Sequence, residues 1–393
     1  MCGHPVTAIH PDQYENPAGL YLHIPFCVAK CGYCAFTSYP CGSMPPPAYL
    51  VALRQQAERL ARHPMVCERR FSTLFVGGGT PTVYGGAELG GLIRDCLTLF
   101  NFEEEPEVTV EANPNSVDLA KLTTLREAGV NRLSIGVQAF SDRLLQGIDR
   151  SHSRASALAA VAAARSAGFA NLNLDLIYGL PEQGLADWQE TIAVALSQNP
   201  EHLALYGLSI EEGTPFHRRA ERGELALLDE ETVLAMEEFA YQQLAAAGLP
   251  RYEISNFASP GRRSRHNENY WHNGNYLGLG AAAVSCLDHL RCRQVPEPER
   301  FVRLVGDGAP PFIEMEALPP GAAFRETVIM ALRLLEGIAV AELAARFGVT
   351  PQEYYGKTFT RLQAQGLLVV EDGFMRLAAK ALPVANQVLA ELV

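Results

Sequence analysis

From residue 20 to about 210, short apolar runs alternate with helical patterns, and the alternation predicts strands at 20–26, 72–77, 107–112, 132–138, 171–179 and 202–210. The helices between them have readable ends. Ser116 reads as the cap of a stretch closed by Gly129, and Ser153 opens an alanine-rich helix closed by Gly168. Repeated strand-helix units imply an α/β fold with a parallel sheet. There are too few of them for a closed eight-stranded barrel, so the expectation is a curved, open (β/α)6 partial barrel with its ligands at the carboxyl ends of the strands.

After a proline-rich passage at 296–320 the pattern becomes helical, with helices at 322–335, 340–347 and 351–365, a small hairpin through Glu371-Asp372-Gly373 and a last helix. This resembles a winged helix, which raises DNA binding. Charge opposes it: residues 338–393 hold five Lys or Arg and five acidic residues, and a neutral wing pulls little on phosphate. A docking or lid domain is expected instead. The organisation expected is a short lead at 1–19, the barrel at 20–250, an extension at 251–320 and a C-terminal α+β domain at 321–393.

The formal net charge of −12 over 393 residues argues against nucleic acid as a partner. No apolar run has the length of a membrane span, and the N-terminus lacks the pattern of a signal peptide. Nine cysteines form no disulfide framework, so a reducing, cytoplasmic setting is expected. Cys2, Cys41, Cys67 and Cys96 read as plain thiols. Cys286, His289 and Cys292 read as a coincidence on one helix face rather than a metal site.

Cys27, Cys31 and Cys34 stand apart as a CxxxCxxC triplet directly after the strand Tyr21-Leu22-His23-Ile24-Pro25-Phe26. Three thiolates holding a [4Fe-4S] cube leave one iron open to a small-molecule ligand. A zinc site would need a fourth ligand such as His23 or Cys41. A second apolar strand runs into Gly77-Gly78-Gly79-Thr80-Pro81, where bare backbone lets a ligand approach closely. Glu111, Gln138 and Asp175 fall at or inside strand ends, where a carboxylate is costly unless it is paired or bonded to a ligand. Arg150 could face a carboxylate as a fork donor, or form a surface ion pair.

From Arg262 to His272 two histidines, three arginines and two aromatics crowd together. Imidazole is a usual axial ligand of haem iron, arginines can pair with propionates, and Trp271 could cover the ring. A satisfied structural histidine in a loop explains the same residues.

YLHIPFCxxxCxxC with GGGTP resembles the radical S-adenosylmethionine (SAM) superfamily. GVNRLSIGVQAF, NLDLIYGLP, RYEISNFASPG and HNENYW make the chain similar to the HemN/HemW branch, and within it to HemW-type haem chaperones, from about residue 18 to the C-terminus. The resemblance implies a cluster on Cys27, Cys31 and Cys34 and SAM contacts at Tyr21, Gly78, Gly79, Thr80, Glu111, Gln138, Arg150 and Asp175. In that chemistry one electron from the reduced cluster releases a 5'-deoxyadenosyl radical. The branch's oxygen-independent coproporphyrinogen III oxidases carry a further cysteine where this chain has Phe36, and a longer N-terminal extension. Both differences favour a haem carrier over an active oxidase. Ala35 stands where an acidic residue is usual. The HNxxY pattern implies haem contacts at His266 and Tyr270. His272-Asn273-Gly274-Asn275-Tyr276 repeats it and reads as incidental beside the Gly278-Leu279-Gly280 turn. The partners implied are haem and haem-accepting respiratory enzymes, met at the membrane periphery without a spanning segment. A homodimer is left open.

Overall fold

The computed structural model describes residue 6, residues 17–42 and residues 44–393, so Cys2 and most of the N-terminal lead lie outside the described residues. Eleven strands form one sheet. Its heart is β1 (Ala18–Ile24), β2 (Arg70–Gly78), β3 (Asn101–Ala112), β4 (Arg132–Gln138), β5 (Leu172–Tyr178) and β6 (His202–Gly207), each parallel to the next. Helices α1 (Pro47–Leu60), α2 (Gly86–Leu99), α3 (Leu119–Glu127), α4 (Arg154–Ser166) and α5 (Leu185–Ser197) make the crossovers. They bury Leu53, Leu92, Leu125, Val161 and Ile192 in the core shared with the sheet. Removing so much apolar surface from water dominates the stability of such a layer.

The order of the six strands follows the chain, and the sheet stays open. β7 (Asn256–Ala258) closes one end antiparallel to β6. At the other end β8 (Tyr276–Leu279) lies parallel to β1, and β9 (Val284–Leu287), β10 (Leu290–Gln294) and β11 (Phe312–Ala317) continue antiparallel. An extension was expected at 251–320, but not that its strands would continue the sheet. Its strands are short, and only pairing with the distant β1 edge makes a parallel partner of residues 276–279.

Three local expectations are corrected. Asp118, not Ser116, caps α3, its carboxylate accepting from Lys121 N at 2.8 Å, because Ser116 is taken up in a tight turn over Pro114–Ser116. Ser153 does open α4, with its hydroxyl accepting from Ser156 N. Cys286 and Cys292 lie on a β-hairpin and not on a helix: Cys286 faces Arg291 and Cys292 faces Ser285, so strand alternation sends the two thiols to opposite faces. Among the described residues no set of three or more His, Cys, Asp or Glu side chains converges tightly enough for a single metal ion. The stretch at 351–365 breaks at Gly356, whose φ of 51° and ψ of −113° suit only glycine, into helices Pro351–Tyr355 and Lys357–Ala364.

The C-terminal part has its own core, built on Phe324, Leu343, Phe347, Leu362 and Met375. A helix, α8 (Pro320–Ala331), leads it back toward the barrel, where Asn273 Nδ2 donates to Thr327 Oγ1 at 3.0 Å. No helix among the described residues is long and apolar enough to cross a membrane.

Candidate functional site

The carboxyl ends of β1 to β6 open into a cavity of about 1050 Å³. The cysteine segment forms one wall. Phe26–Cys27 pairs with Tyr39–Pro40, Cys41 N donates to the Cys27 carbonyl at 2.9 Å, and Cys34 N donates to the Cys31 carbonyl at 3.2 Å. These bonds turn Cys27, Cys31 and Cys34 toward one space, which all three line as free thiols. The Thr80 hydroxyl lies 3.5 Å from Cys27 Sγ and Arg150 Nη1 lies 3.6 Å from Cys31 Sγ, donors of the kind that tune thiolate ligands. A cube spreads three cysteines over three irons, so the set need not be as tight as a single ion requires. The donor chemistry fits an iron-sulfur cluster.

The glycine run forms the second wall, and each glycine is required by a neighbour. A Cβ at Gly77 would meet Glu111 Oε2 at 2.9 Å, one at Gly78 the His23 ring at 2.5 Å, and one at Gly79 the Phe26 carbonyl oxygen at 2.5 Å. Gly79 thus lets the loop close against the chain just before Cys27, with Thr80 N donating to the Phe26 carbonyl at 2.7 Å. The bare backbone serves the cysteine wall as much as any ligand.

Strand ends supply the third wall. Glu111 accepts from Gly78 N at 3.1 Å. Burial, with the Asp175 carboxylate adding to it, pushes the Glu111 carboxyl up to about 7. Asp175 is raised by burial against the opposing pull of Asn173 and Ser134, which donate to it at 2.7 and 3.2 Å. Gln138 holds a left-handed φ of 65°, a strained state for a non-glycine residue that is typical of functional sites. Arg150 is no surface ion pair: Nη2 donates to the Gly136 carbonyl at 2.5 Å, and its buried Nε has no partner among the described residues. Gly78, Gly79, Thr80, Glu111, Gln138, Arg150 and Asp175 all line the cavity with the three cysteines. Its size and mixed lining fit a cofactor of the dimensions of SAM beside a cluster. Phe36 reaches over the rim, 71% exposed.

Tyr21 does not reach this cavity. It faces a smaller one inside the barrel, and its hydroxyl lies 2.8 Å from His23 Nδ1. Sequence reasoning missed Ser134 and Asn173, which orient Asp175, and Lys121, whose Nζ donates to the carbonyls of Thr82 and Ser116 at 2.7 Å. Asn173 carried a signal, since it stands two residues before Asp175 on the same face of β5.

His266 departs furthest from expectation. It sits on a helix, α7 (Arg265–Trp271), and not in a loop; it is 1% exposed, and both ring nitrogens are bonded, Nδ1 to Thr73 Oγ1 at 2.7 Å and Nε2 to the Tyr270 hydroxyl at 3.0 Å. The ring stacks on Phe75 at 5.0 Å. Glu107 accepts from the backbone nitrogens of Arg265 and His266 at 3.0 and 3.2 Å, pinning the helix start. Burial, helped by the charge of Arg132, holds the imidazole down to about 3, so it is neutral at physiological pH. In this conformation neither nitrogen is open to iron. His272, just beyond α7, is exposed.

Residues 21–195 match the model of the radical SAM superfamily, and residues 318–384 match that of the HemN C-terminal domain. The chain is 36% identical over 344 residues to a heme chaperone HemW of Mycobacterium tuberculosis, covering 87% of each. It is 34% identical to heme chaperone HemW of Bacillus subtilis, covering 94% of this chain and 97% of that one. Among solved structures, the coproporphyrinogen III oxidase HemN of Escherichia coli, a radical SAM enzyme, superposes with a TM-score of 0.82 at 24% identity, covering 96% of this chain and 90% of that one, a likeness of fold.

Proposed function

The chain belongs to the HemW-type branch of the radical SAM superfamily, and from that premise we propose that it is a haem-binding chaperone, carrying a [4Fe-4S] cluster and SAM and delivering haem to haem-requiring enzymes such as those of respiration. The observation that carries the cofactor half is the convergence of three thiols, the glycine run, three polar strand-end residues and Arg150 on one cavity of about 1050 Å³. Cys27, Cys31 and Cys34 would hold the cluster and the rest of the cavity would hold SAM beside it. Bound there, the pair supplies one-electron chemistry. Glu111 and Asp175 present acceptors to an ammonium group, Arg150 balances their charge beside Cys31, and Gln138 is held in its strained turn to face the same space.

Phe36 argues for carrier over oxidase. It puts an exposed apolar ring, where the oxidases have cysteine, on the rim that a flat apolar ligand would meet. Ligation of haem by His266 requires α7 to swing out and give up the bonds to Thr73 and Tyr270, whereas His272 needs no such change. The decisive test is anaerobic incubation of the cluster-loaded protein with coproporphyrinogen III, SAM and reductant. The chaperone reading expects no turnover alongside stoichiometric haem binding; protoporphyrinogen at catalytic levels would establish the oxidase instead.

A further inference from the structure

The HNxxY side chains His266, Asn267 and Tyr270 all line the inner cavity, which measures about 210 Å³ and lies between α7 and the strand-end residues Glu111 and Asp175. A cavity of about 150 Å³ accommodates benzene, so this one holds a group of benzene's size or a little larger and not a tetrapyrrole. Its polar groups are unevenly satisfied. Asp175 already accepts from Asn173 and Ser134, and Glu111 accepts from Gly78 N. Arg132 also lines the space and is 2% exposed, yet its Nε has no hydrogen-bond partner and no carboxylate lies within ion-pair distance of it among the described residues. A buried guanidinium left so is costly unless something else meets it. Glu111 and Asp175 feel the Arg132 charge through space and have donors of their own, yet no acceptor reaches the guanidinium, so the unmet need in this cavity is an acceptor, which the oxygen of a small anion would supply.

We propose that the inner cavity binds a small carboxylate, with Arg132 as its cation and Asn256, Asn267 and Tyr270 as neutral hydrogen-bonding groups around it. The carboxylate comes either as a free acid of acetate or propionate size or as a propionate arm of haem. The arm would enter through the neck where Glu111, Asp175 and Tyr206 border both cavities. That second source rests on the haem reading.

The full chain, cluster-loaded and anaerobic, is titrated with sodium propionate and with propylammonium chloride while Tm is followed, and separately with haem and haem dimethyl ester while the Soret band is followed. Asn267→Leu fills the cavity from the half-exposed helix and leaves the buried charge in place, so it should fold where removal of Arg132 threatens the core. The expected result is a dose-dependent rise in Tm with propionate and none with propylammonium, lost in Asn267→Leu. If the arm is the ligand, haem binds at least tenfold more tightly than its diester, and the ratio falls toward one in Asn267→Leu while diester binding is kept. A propionate response with equal haem and diester affinities assigns the site to the free acid. An equal response to propylammonium, a propionate response that survives in Asn267→Leu, or no propionate response together with equal haem and diester affinities overturns the proposal. Failure of both tetrapyrroles to bind overturns the haem reading alone and leaves the propionate result standing.

Discussion

The outer cavity and the inner one share Glu111 and Asp175 at their boundary, yet they are built in opposite ways. The outer one is walled by loops that leave the sheet, with three thiols turned into open space and the buried Arg150 Nε without a partner among the described residues. The inner one is bounded by a polar web whose members mostly satisfy each other, as in the runs from Thr73 through His266 to Tyr270 and from Asp175 through Asn173 and His202 to Tyr252. A residue type seen in a sequence suggests chemistry; whether its polar atoms are already taken decides if that chemistry is available. By that measure the cysteine triplet is poised for a ligand and the first HNxxY histidine is not.

The largest effect that tests this contrast is loss of the cluster. Alanine at Cys27, Cys31 or Cys34 should abolish it, read as iron and sulfide content with the visible charge-transfer band. Cys41 N bonds the Cys27 carbonyl and the Cys27 thiol acts electrostatically on that of Cys41, which makes Cys41 a rival ligand among the described residues. A full cube retained in Cys31→Ala would therefore point to Cys41 and undo the idea of an open iron.

Gly79→Val comes next. The new Cβ would press on the Phe26 carbonyl, so the cysteine wall must shift, at about 3 kcal/mol, the upper end of ordinary overpacking costs. SAM affinity and cluster loading should fall together. Glu111→Ala should weaken SAM binding and leave the cluster in place; unchanged affinity in both variants would move the cofactor away from these strand ends.

What could be read from the sequence follows the same division. CxxxCxxC and GGGTP are each contiguous in the chain, and the strand-end rule picked out Glu111, Gln138 and Asp175, which line the same cavity. The six parallel strands were legible because short apolar runs alternate with helical stretches along the chain. The inner cavity was not. Thr73, Glu107, Arg132, His202 and His266 lie on separate strands and a distant helix, and only the fold makes neighbours of them. The seventh parallel strand, at 276–279, was hidden for the same reason, since its partner β1 lies more than two hundred residues earlier.

The two copies of the haem motif offer the next contrast. His266→Ala leaves a void beneath Phe75 and strips Thr73 and Tyr270 of a partner, so it should cost about 3 kcal/mol in denaturant unfolding. His272→Ala, at an exposed helix end, should stay within about 0.5 kcal/mol. Haem titrations of both singles and the double variant then separate ligation from packing. Loss of the Soret band only at His272 favours the exposed copy, and loss only at His266, with stability taken into account, favours a helix that swings out. Binding by the double variant that matches wild type removes the segment from the haem site.

A subtler effect, read as a trend with pH, lies where the two cavities meet. In the folded chain, burial and the Asp175 carboxylate hold the Glu111 proton until about pH 7, while in the unfolded chain the same carboxyl ionises near its ordinary value of 4.5. Between these values the unfolded state has given up a proton that the folded state keeps, so this group disfavours folding increasingly as pH rises. Linkage over that interval puts the change at about 2 kcal/mol from pH 5 to pH 7. Several buried histidines with lowered values, among them His152 and His266, act in the opposite sense below about pH 6.5, so the wild-type profile alone cannot isolate Glu111. The difference between wild type and Glu111→Gln can, because the amide keeps an acceptor for Gly78 N and does not titrate. Urea unfolding of the cluster-free chain at pH 5, 6 and 7 should show the variant gaining steadily on wild type. A difference that stays flat across this range would mean that Glu111 ionises freely in the fold, and the boundary between the cavities would then be wet and open rather than a shared, partly protonated pair of carboxyls.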